Sequence, residues 1–288
     1  MNSYIIITPA KNECDYIDKT IESVINQTIL PKKWIIVDDS STDNTAQIIE
    51  SYTVKYPWIF LLKLAYNNEP RSGGSKVVNA FNQGYNLIKY DKYDFIVKLD
   101  SDLVLPSNYF EVIINAFIND SKIGLVGGII MNKVGDKLIQ EGSLNYHIRG
   151  AFKTYRKKCF EDIGGFKPIW NWDGLDEMEA MYKGWMTKTI NLKVVHLRPT
   201  TSAYNLKFHA LKSGYEAYRM RMSGFLLLGR VFVKIKEKPY FIYAVYYLHG
   251  YLTASFERAD YLIDKKLANF INKFHAKRLL NKLNLFKK

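Results

Sequence analysis

Four short apolar runs, at residues 4–8, 34–37, 59–64 and 95–99, are separated by stretches whose apolar side chains recur every three or four positions. Ile17, Ile21, Val24 and Ile25 mark the first such stretch, and Pro9 and Pro31 punctuate it on either side. Ala46, Ile48 and Ile49 mark the second, and Val77, Ala80, Phe81 and Leu87, within residues 76–88, the third. Asp43 or a polar neighbour is placed to cap the second helix. Strands that alternate with helices in this way predict a mostly parallel sheet covered on both faces, an α/β architecture.

Ligands of such sheets bind beyond the carboxyl ends of the strands. Three polar clusters fall at those ends, over residues 8–13, 38–43 and 100–102. In the last, an apolar strand runs into Asp100-Ser101-Asp102. Along an extended backbone residues i and i+2 point the same way, so Asp100 and Asp102 are expected to face one small volume. Two hard oxygen donors there suit Mg²⁺ or Mn²⁺, which leave most of their coordination to water and phosphates. By itself so short an acidic motif is as often a solvated turn. Neither a G-x-G-x-x-G fingerprint nor a P-loop is present, which argues against a dinucleotide site and an NTPase.

Beyond residue 105 the pattern changes. Residues 123–130 and 148–158 predict further strands, and Trp170-Asn171-Trp172-Asp173-Gly174-Leu175-Asp176-Glu177 opens a short helix that ends near Gly184-Trp185. Residues 192–197 predict a last strand, carrying His196 and leading to Arg198.

The ordered set Thr8-Pro9-Ala10-Lys11-Asn12-Glu13, Val37-Asp38-Asp39-Ser40-Ser41-Thr42-Asp43 and Asp100-Ser101-Asp102 resembles the family 2 glycosyltransferases of polysaccharide biosynthesis, which have the GT-A fold. The resemblance covers roughly residues 3–200. It implies a Rossmann-like mixed sheet flanked by helices, over residues 1–204, that binds a nucleotide-sugar donor, with a UDP-sugar expected first. Pro9, Ala10 and Glu13 would lie beside the nucleoside and Asp39 at the base. Asp100 would lie near the ribose and diphosphate, and Asp102 would ligate Mn²⁺ or Mg²⁺, which offsets charge on the leaving diphosphate. In related enzymes a histidine at the place of His196 completes the metal site, and an arginine near Arg198 meets the diphosphate. A general base is implied within the acidic cluster of residues 172–177, for an inverting transfer. Trp172-Asp173 replaces the family's usual Glu-Asp pair. Asp173, eleven residues before Gly184, and Asp176, read as the start of the helix proper, are the two candidates, with Asp173 favoured.

Charge divides the chain. Residues 205–288 hold 17 Lys and Arg against 5 Asp and Glu, whereas the first 204 residues hold 24 against 23. A helical, basic C-terminal region over residues 205–288 is therefore expected to meet an anionic partner. Residues 239–256 are uncharged but rich in tyrosine, shorter than the roughly 20 apolar residues of a spanning helix. Phe225-Leu226-Leu227-Leu228 is a second apolar patch, with Arg230, Lys234, Lys236 and Lys238 after it. From residue 262 the chain reads as a basic amphipathic helix with Leu262, Ile263, Leu267, Phe270, Ile271 and Phe274 on one side. An anionic membrane surface is the expected partner; packing on the catalytic domain or in a homo-oligomer is the alternative. No nucleic-acid-binding module is recognisable. Two cysteines and a first strand starting at residue 4 suggest a reducing, cytoplasmic setting without a secretory signal, peripheral to the inner face of the membrane.

The leading expectation is thus a metal-dependent glycosyltransferase acting on a glycan or lipid-linked acceptor. A sugar-1-phosphate nucleotidyltransferase would carry a glycine-rich, arginine-containing loop after the first strand, where this chain has Pro9-Ala10-Lys11-Asn12-Glu13. A non-catalytic nucleotide-sugar-binding protein would be expected to lose the metal carboxylates or the base, and both are present.

Overall fold

The computed structural model describes residues 2–65, 74–135, 137–141, 146–198, 205–235 and 240–285. It divides into two compact units, Met1–Ser202 and Ala203–Lys288.

The first unit contains β1 (Tyr4–Ala10), α1 (Ile17–Ile25), β2 (Lys33–Asp38), α2 (Thr45–Lys55), β3 (Ile59–Lys63), α3 (Ser75–Asn86), β4 (Phe95–Leu99) and β5 (Leu103–Val104). It continues with α4 (Tyr109–Asn119), β6 (Ile123–Val134), β7 (Lys137–Gln140), β8 (Phe152–Arg156), α5 (Lys157–Asp162), α6 (Trp172–Tyr182) and β9 (Met186–His196). The strands form one sheet in the order β3-β2-β1-β4-β8-β6-β9-β5, with β7 paired to β6. The first four strands are parallel, as their alternation with helices predicts. The rest of the sheet is mixed: β8 is antiparallel to β4 and β6, β9 is parallel to β6, and β5 is antiparallel to β9.

Period-two alternation distributes the strand residues between two cores. Ile6, Trp34, Ile36, Val97 and Leu99 pack with Ile17, Ile21, Ile49, Phe110 and Phe117 of α1, α2 and α4 on one face. Ile5, Ile7, Ile35, Val37 and Ile96 pack with Val78, Phe81, Phe160 and Ala180 of α3, α5 and α6 on the other. The strand order reverses between β1 and β4, which places Ala10 and Asp100 at the ends of neighbouring strands where a doubly covered sheet leaves a crevice.

Two local expectations change. The strand stops at Leu99 and residues 101–102 form a turn, so alternation does not govern Asp100 and Asp102. The helix after Asn171 begins at Trp172, one turn earlier than a start at Asp176, so both candidate bases are helical.

The second unit consists of α7 (Leu206–Arg219), α8 (Gly224–Ile235), α9 (Ile242–Phe256) and α10 (Lys265–Leu285). α7 and α9 touch backbone to backbone. A Cβ on Gly214 would lie 1.8 Å from the Tyr247 carbonyl oxygen, and one on Gly250 would lie 2.0 Å from that of Leu211. Among the described residues no helix is long and apolar enough to cross a membrane. The apolar side expected of the last helix is largely buried: Ile263, Leu267 and Ile271 are buried, and Leu279 reaches Gly229 of α8. Lys236 and Lys238 lie outside the described residues.

Candidate active site

Two clusters form around the carboxyl ends of β1 and β4. The first is built on Asp102. Thr20 of α1 fixes the turn that carries it, donating through Oγ1 to the Ser101 carbonyl oxygen at 2.8 Å and accepting from the Leu103 amide at 3.0 Å. Because β9 pairs with β5, His196 stands opposite Leu103, and the Leu197 amide donates to the Asp102 carbonyl oxygen at 2.9 Å. His196 Nε2 then lies 3.2 Å from Asp102 Oδ1. Arg198 reaches the other oxygen, with Nε and Nη2 at 3.2 and 3.1 Å from Asp102 Oδ2. Its Nη2 also donates to Glu13 Oε2, and its guanidinium covers the Tyr16 ring, 4.9 Å from the centroid. Burial works against the Arg198 charge, but Glu13 and Asp102 outweigh it and raise its pKa. Glu13 and Asp102 are both buried, so this pairing offsets the cost of taking two carboxylates out of water.

The second cluster joins Asp100 to α6. The Asp100 amide donates to the Ala151 carbonyl oxygen at 2.7 Å, and Lys98 Nζ donates to Asp100 Oδ1. Asp173, in the first turn of α6, rests its half-buried carboxylate against Gly150, where a Cβ would come within 3.1 Å of Asp173 Oδ2. Asp176 is in a different situation. It is buried, accepts from Lys153 Nζ at 2.8 and 2.9 Å, and accepts from the Tyr155 hydroxyl. Burial pushes its carboxyl up to about 6, Glu177 adds to the rise, and Lys153 only partly opposes it. Burial likewise opposes the Lys153 charge, yet Asp176, Glu177 and Asp173 together raise its pKa. Lys153 Nζ also donates to the Asp173 carbonyl oxygen. Glu177 accepts from the Ile148 amide at 2.7 Å and lies 2.9 Å from His147 Nδ1.

The expected site residues thus gather at one rim, with different partners. Asp100 meets Lys98, and Asp102 meets His196 and Arg198. Pro9 and Ala10 pair with Val37 and Asp38 at the ends of β1 and β2, and the Asp39 amide donates to the Ala10 carbonyl oxygen at 2.8 Å. Asn12, Ser40 and Asn171 hold left-handed backbone at φ of 55°, 57° and 58°, turning the chain at three of these rim segments. Such conformations in residues other than glycine cluster at functional sites. Lys98, Lys153, Tyr155, Glu177 and His147 were not singled out in the sequence. Lys98 alone carries a signal there, a lysine inside an otherwise apolar strand.

A divalent cation can be tested against this chemistry. Among the described residues no group of three or more His, Cys, Asp or Glu side chains could hold a metal. Asp102 Oδ1 and His196 Nε2 are nevertheless 3.2 Å apart, within reach of one small ion, and His196 Nδ1 is buried without a hydrogen-bond partner among the described residues. Two protein donors completed by phosphates and water suit Mg²⁺ or Mn²⁺.

The sequence profile described as Glycosyl transferase family 2 matches residues 5–172. The poly-beta-1,6-N-acetyl-D-glucosamine synthase of Staphylococcus aureus is 33% identical over 187 residues, covering 58% of this chain and 41% of that protein. The chain thus spans about two-fifths of the length of such relatives. Among solved structures, S. aureus TarS 1–349 in complex with UDP-GlcNAc superposes with a TM-score of 0.55 at 18% identity, covering 88% of this chain and 73% of that one. The mannosyltransferase PcManGT of Pyrobaculum calidifontis, in complex with GDP-Man and Mn²⁺, gives 0.53 at 17% identity, covering 96% and 80%. The fold is GT-A, and the chain belongs to glycosyl transferase family 2.

Proposed function

We propose that this chain is an inverting glycosyltransferase that moves a sugar from a nucleotide-sugar donor to a hydroxyl of a glycan or lipid-linked acceptor in polysaccharide assembly. The observation that carries the reading is the convergence of Glu13, Asp102, His196 and Arg198 beside Asp100 and Asp173 at one rim of the sheet. Relatives named as polysaccharide synthases and a neighbour holding UDP-GlcNAc make a UDP-sugar the first donor to test.

Pro9, Ala10 and Asp39, at the ends of β1 and β2, receive the nucleoside, and Asp100 meets the ribose and diphosphate. Asp102 and His196 hold Mn²⁺ or Mg²⁺, which supplies positive charge to the departing diphosphate. Arg198 keeps Asp102 oriented through its Oδ2 oxygen and adds a second cation beside the leaving group. Asp173 takes the proton from the acceptor hydroxyl as that oxygen forms its bond to the anomeric carbon and the sugar–phosphate bond breaks. Asp176 is unsuited to this task because its oxygens already meet Lys153 and Tyr155 inside the core. It anchors α6 instead.

The test incubates the purified chain with UDP-GlcNAc, other UDP-sugars and GDP-Man, with a glycan supplying acceptor hydroxyls and with Mn²⁺ or a chelator, and measures nucleoside diphosphate released as the sugar passes to glycan or water. Release from at least one donor, lost in Asp102→Ala and in Asp173→Asn, is expected. Pyrophosphate release from a nucleoside triphosphate and a sugar phosphate would replace this reading with nucleotidyl transfer. Donor binding with no turnover under any condition would replace it with a binding role.

A further inference from the structure

We propose that the corner between the C-terminal end of α8 and the N-terminal end of α9 docks this chain onto an anionic lipid surface. Six large apolar or aromatic side chains are exposed there: Phe232, Val233, Tyr240, Phe241, Ile242 and Val245. Phe232, Phe241 and Val245 are the most open, at 60%, 62% and 62%. The Phe241 amide lies 3.4 Å from the Ile235 carbonyl oxygen, which closes the corner and brings the two helix ends together.

The core of their own unit is filled chiefly by other residues of the two helices. α8 already buries Leu226 and Leu227, and α9 already buries Ala244, Tyr247, Gly250 and Ala254. Each helix therefore has an inner apolar face in use and a second one turned to solvent. Upstream on α8, Leu228 continues the outer stripe at 70% exposure, one helical turn before Phe232. Contiguous exposed apolar surface of this kind marks a site for protein or membrane. Phe241 also stands at φ 64°, a backbone conformation costly for an aromatic residue, with its ring outside the core.

Charge selects the occupant. The unit carries 17 basic against 5 acidic residues from position 205 onward. Arg230 of α8 and Lys265, Lys266, Lys273 and Lys277 of α10 are exposed. Pairing this face with a second copy would bring two strongly cationic bodies together, whereas phosphate-bearing lipid headgroups attract them. Mixed aromatic and aliphatic side chains beside basic groups suit the zone between headgroups and acyl chains, where helices lie flat. Neither α8 nor α9 can cross the hydrocarbon, so the attachment is interfacial. The sequence offers residues 225–228, residues 239–256 and the last helix as apolar surfaces for a membrane; α10 has largely buried its apolar side, which favours this corner.

The test uses the intact chain and vesicles of phosphatidylcholine alone or mixed in equal parts with phosphatidylglycerol, and reads co-sedimentation against salt. Binding to the anionic vesicles that weakens with salt is expected. It should fall about tenfold or more in Phe232→Ser/Phe241→Ser and in Val245→Glu, with the thermal melt and donor turnover in solution unchanged. Because binding needs no donor and turnover needs no vesicle, failure here and failure of the catalytic reading are separable. Equal binding to neutral vesicles, no binding, or wild-type binding by both variants overturns the proposal. A concentration-dependent dimer abolished by the same variants assigns the corner to a second copy.

Discussion

Lys98 and Lys153 stand opposite each other across the antiparallel ladder of β4 and β8, and both ammonium groups lie over the ring of Trp172, at 5.5 and 5.6 Å from its centroid. Like charges directly across a ladder repel, and both lysines are buried. Each is answered by its own carboxylate, Asp100 for Lys98 and Asp176 for Lys153, and the aromatic face serves both. The arrangement ties the start of α6 to the two central strands, so the helix turn that carries Asp173 is held from below.

Removing Lys153 should be costly. Lys153→Met leaves Asp176 buried without its cation, a change worth about 3–5 kcal/mol for pairs of this kind. Urea denaturation should show that loss, and Lys153→Met/Asp176→Leu should regain a good part of it, because the second change removes the stranded carboxyl. A Lys153→Met protein as stable as the parent would show that the pair contributes nothing.

The same pair sets a pH dependence. Asp176 takes its proton at about 6 in the folded chain against an ordinary 3.8, because burial and Glu177 outweigh Lys153. The folded state therefore binds this proton more tightly than the unfolded state. The group's contribution to stability is complete below pH 4, declines as pH rises towards 6, and is flat above. The change is at most about 3 kcal/mol. Denaturation midpoints measured across this range should fall with rising pH in the parent and fall less in Asp176→Asn.

Asp173 and Asp102 should fail differently. Asp173→Asn should lower kcat by about 100-fold to 10,000-fold while the donor still raises the melting temperature, since a base acts only on the acceptor proton. Asp102→Asn should remove the extra stabilisation that Mn²⁺ adds to donor binding. If both variants lose only donor affinity, Asp173 is a binding residue.

Gly214 gives a purely structural test. Alanine usually gains about 1 kcal/mol over glycine inside a helix. Here a Cβ would sit 1.8 Å from the Tyr247 carbonyl oxygen, so α7 and α9 must move apart. Gly214→Ala should destabilise by about 1–3 kcal/mol. A thermal melt decides the sign.

Much of the first half of the fold was legible because it is local. Strand runs such as residues 34–37 and helical spacing such as Ile17, Ile21 and Val24 depend only on near neighbours, and they recur as β2 and α1. The acidic ends of β1, β2 and β4 were legible for the same reason. The helix start at Trp172 was harder to place, since Asn171 enters it through left-handed backbone and offers no capping side chain. Lys98 could have been noticed, because a charge within a buried strand must be paired. Lys153 and Tyr155, in a short strand without regular patterning, gave no such cue.

By itself the chain's order of residues determined where strands and helices form, which strand ends are acidic, and that the last third is basic. Only the tertiary structure decided which distant groups meet. Arg198 reaches Asp102 across 96 positions because β9 lies beside β5, a pairing that no local period encodes. The same holds for the last helix, whose apolar side looks free along the chain and is largely buried by neighbours once folded. Periodicity reports what one segment offers, whereas burial depends on what the others bring to it.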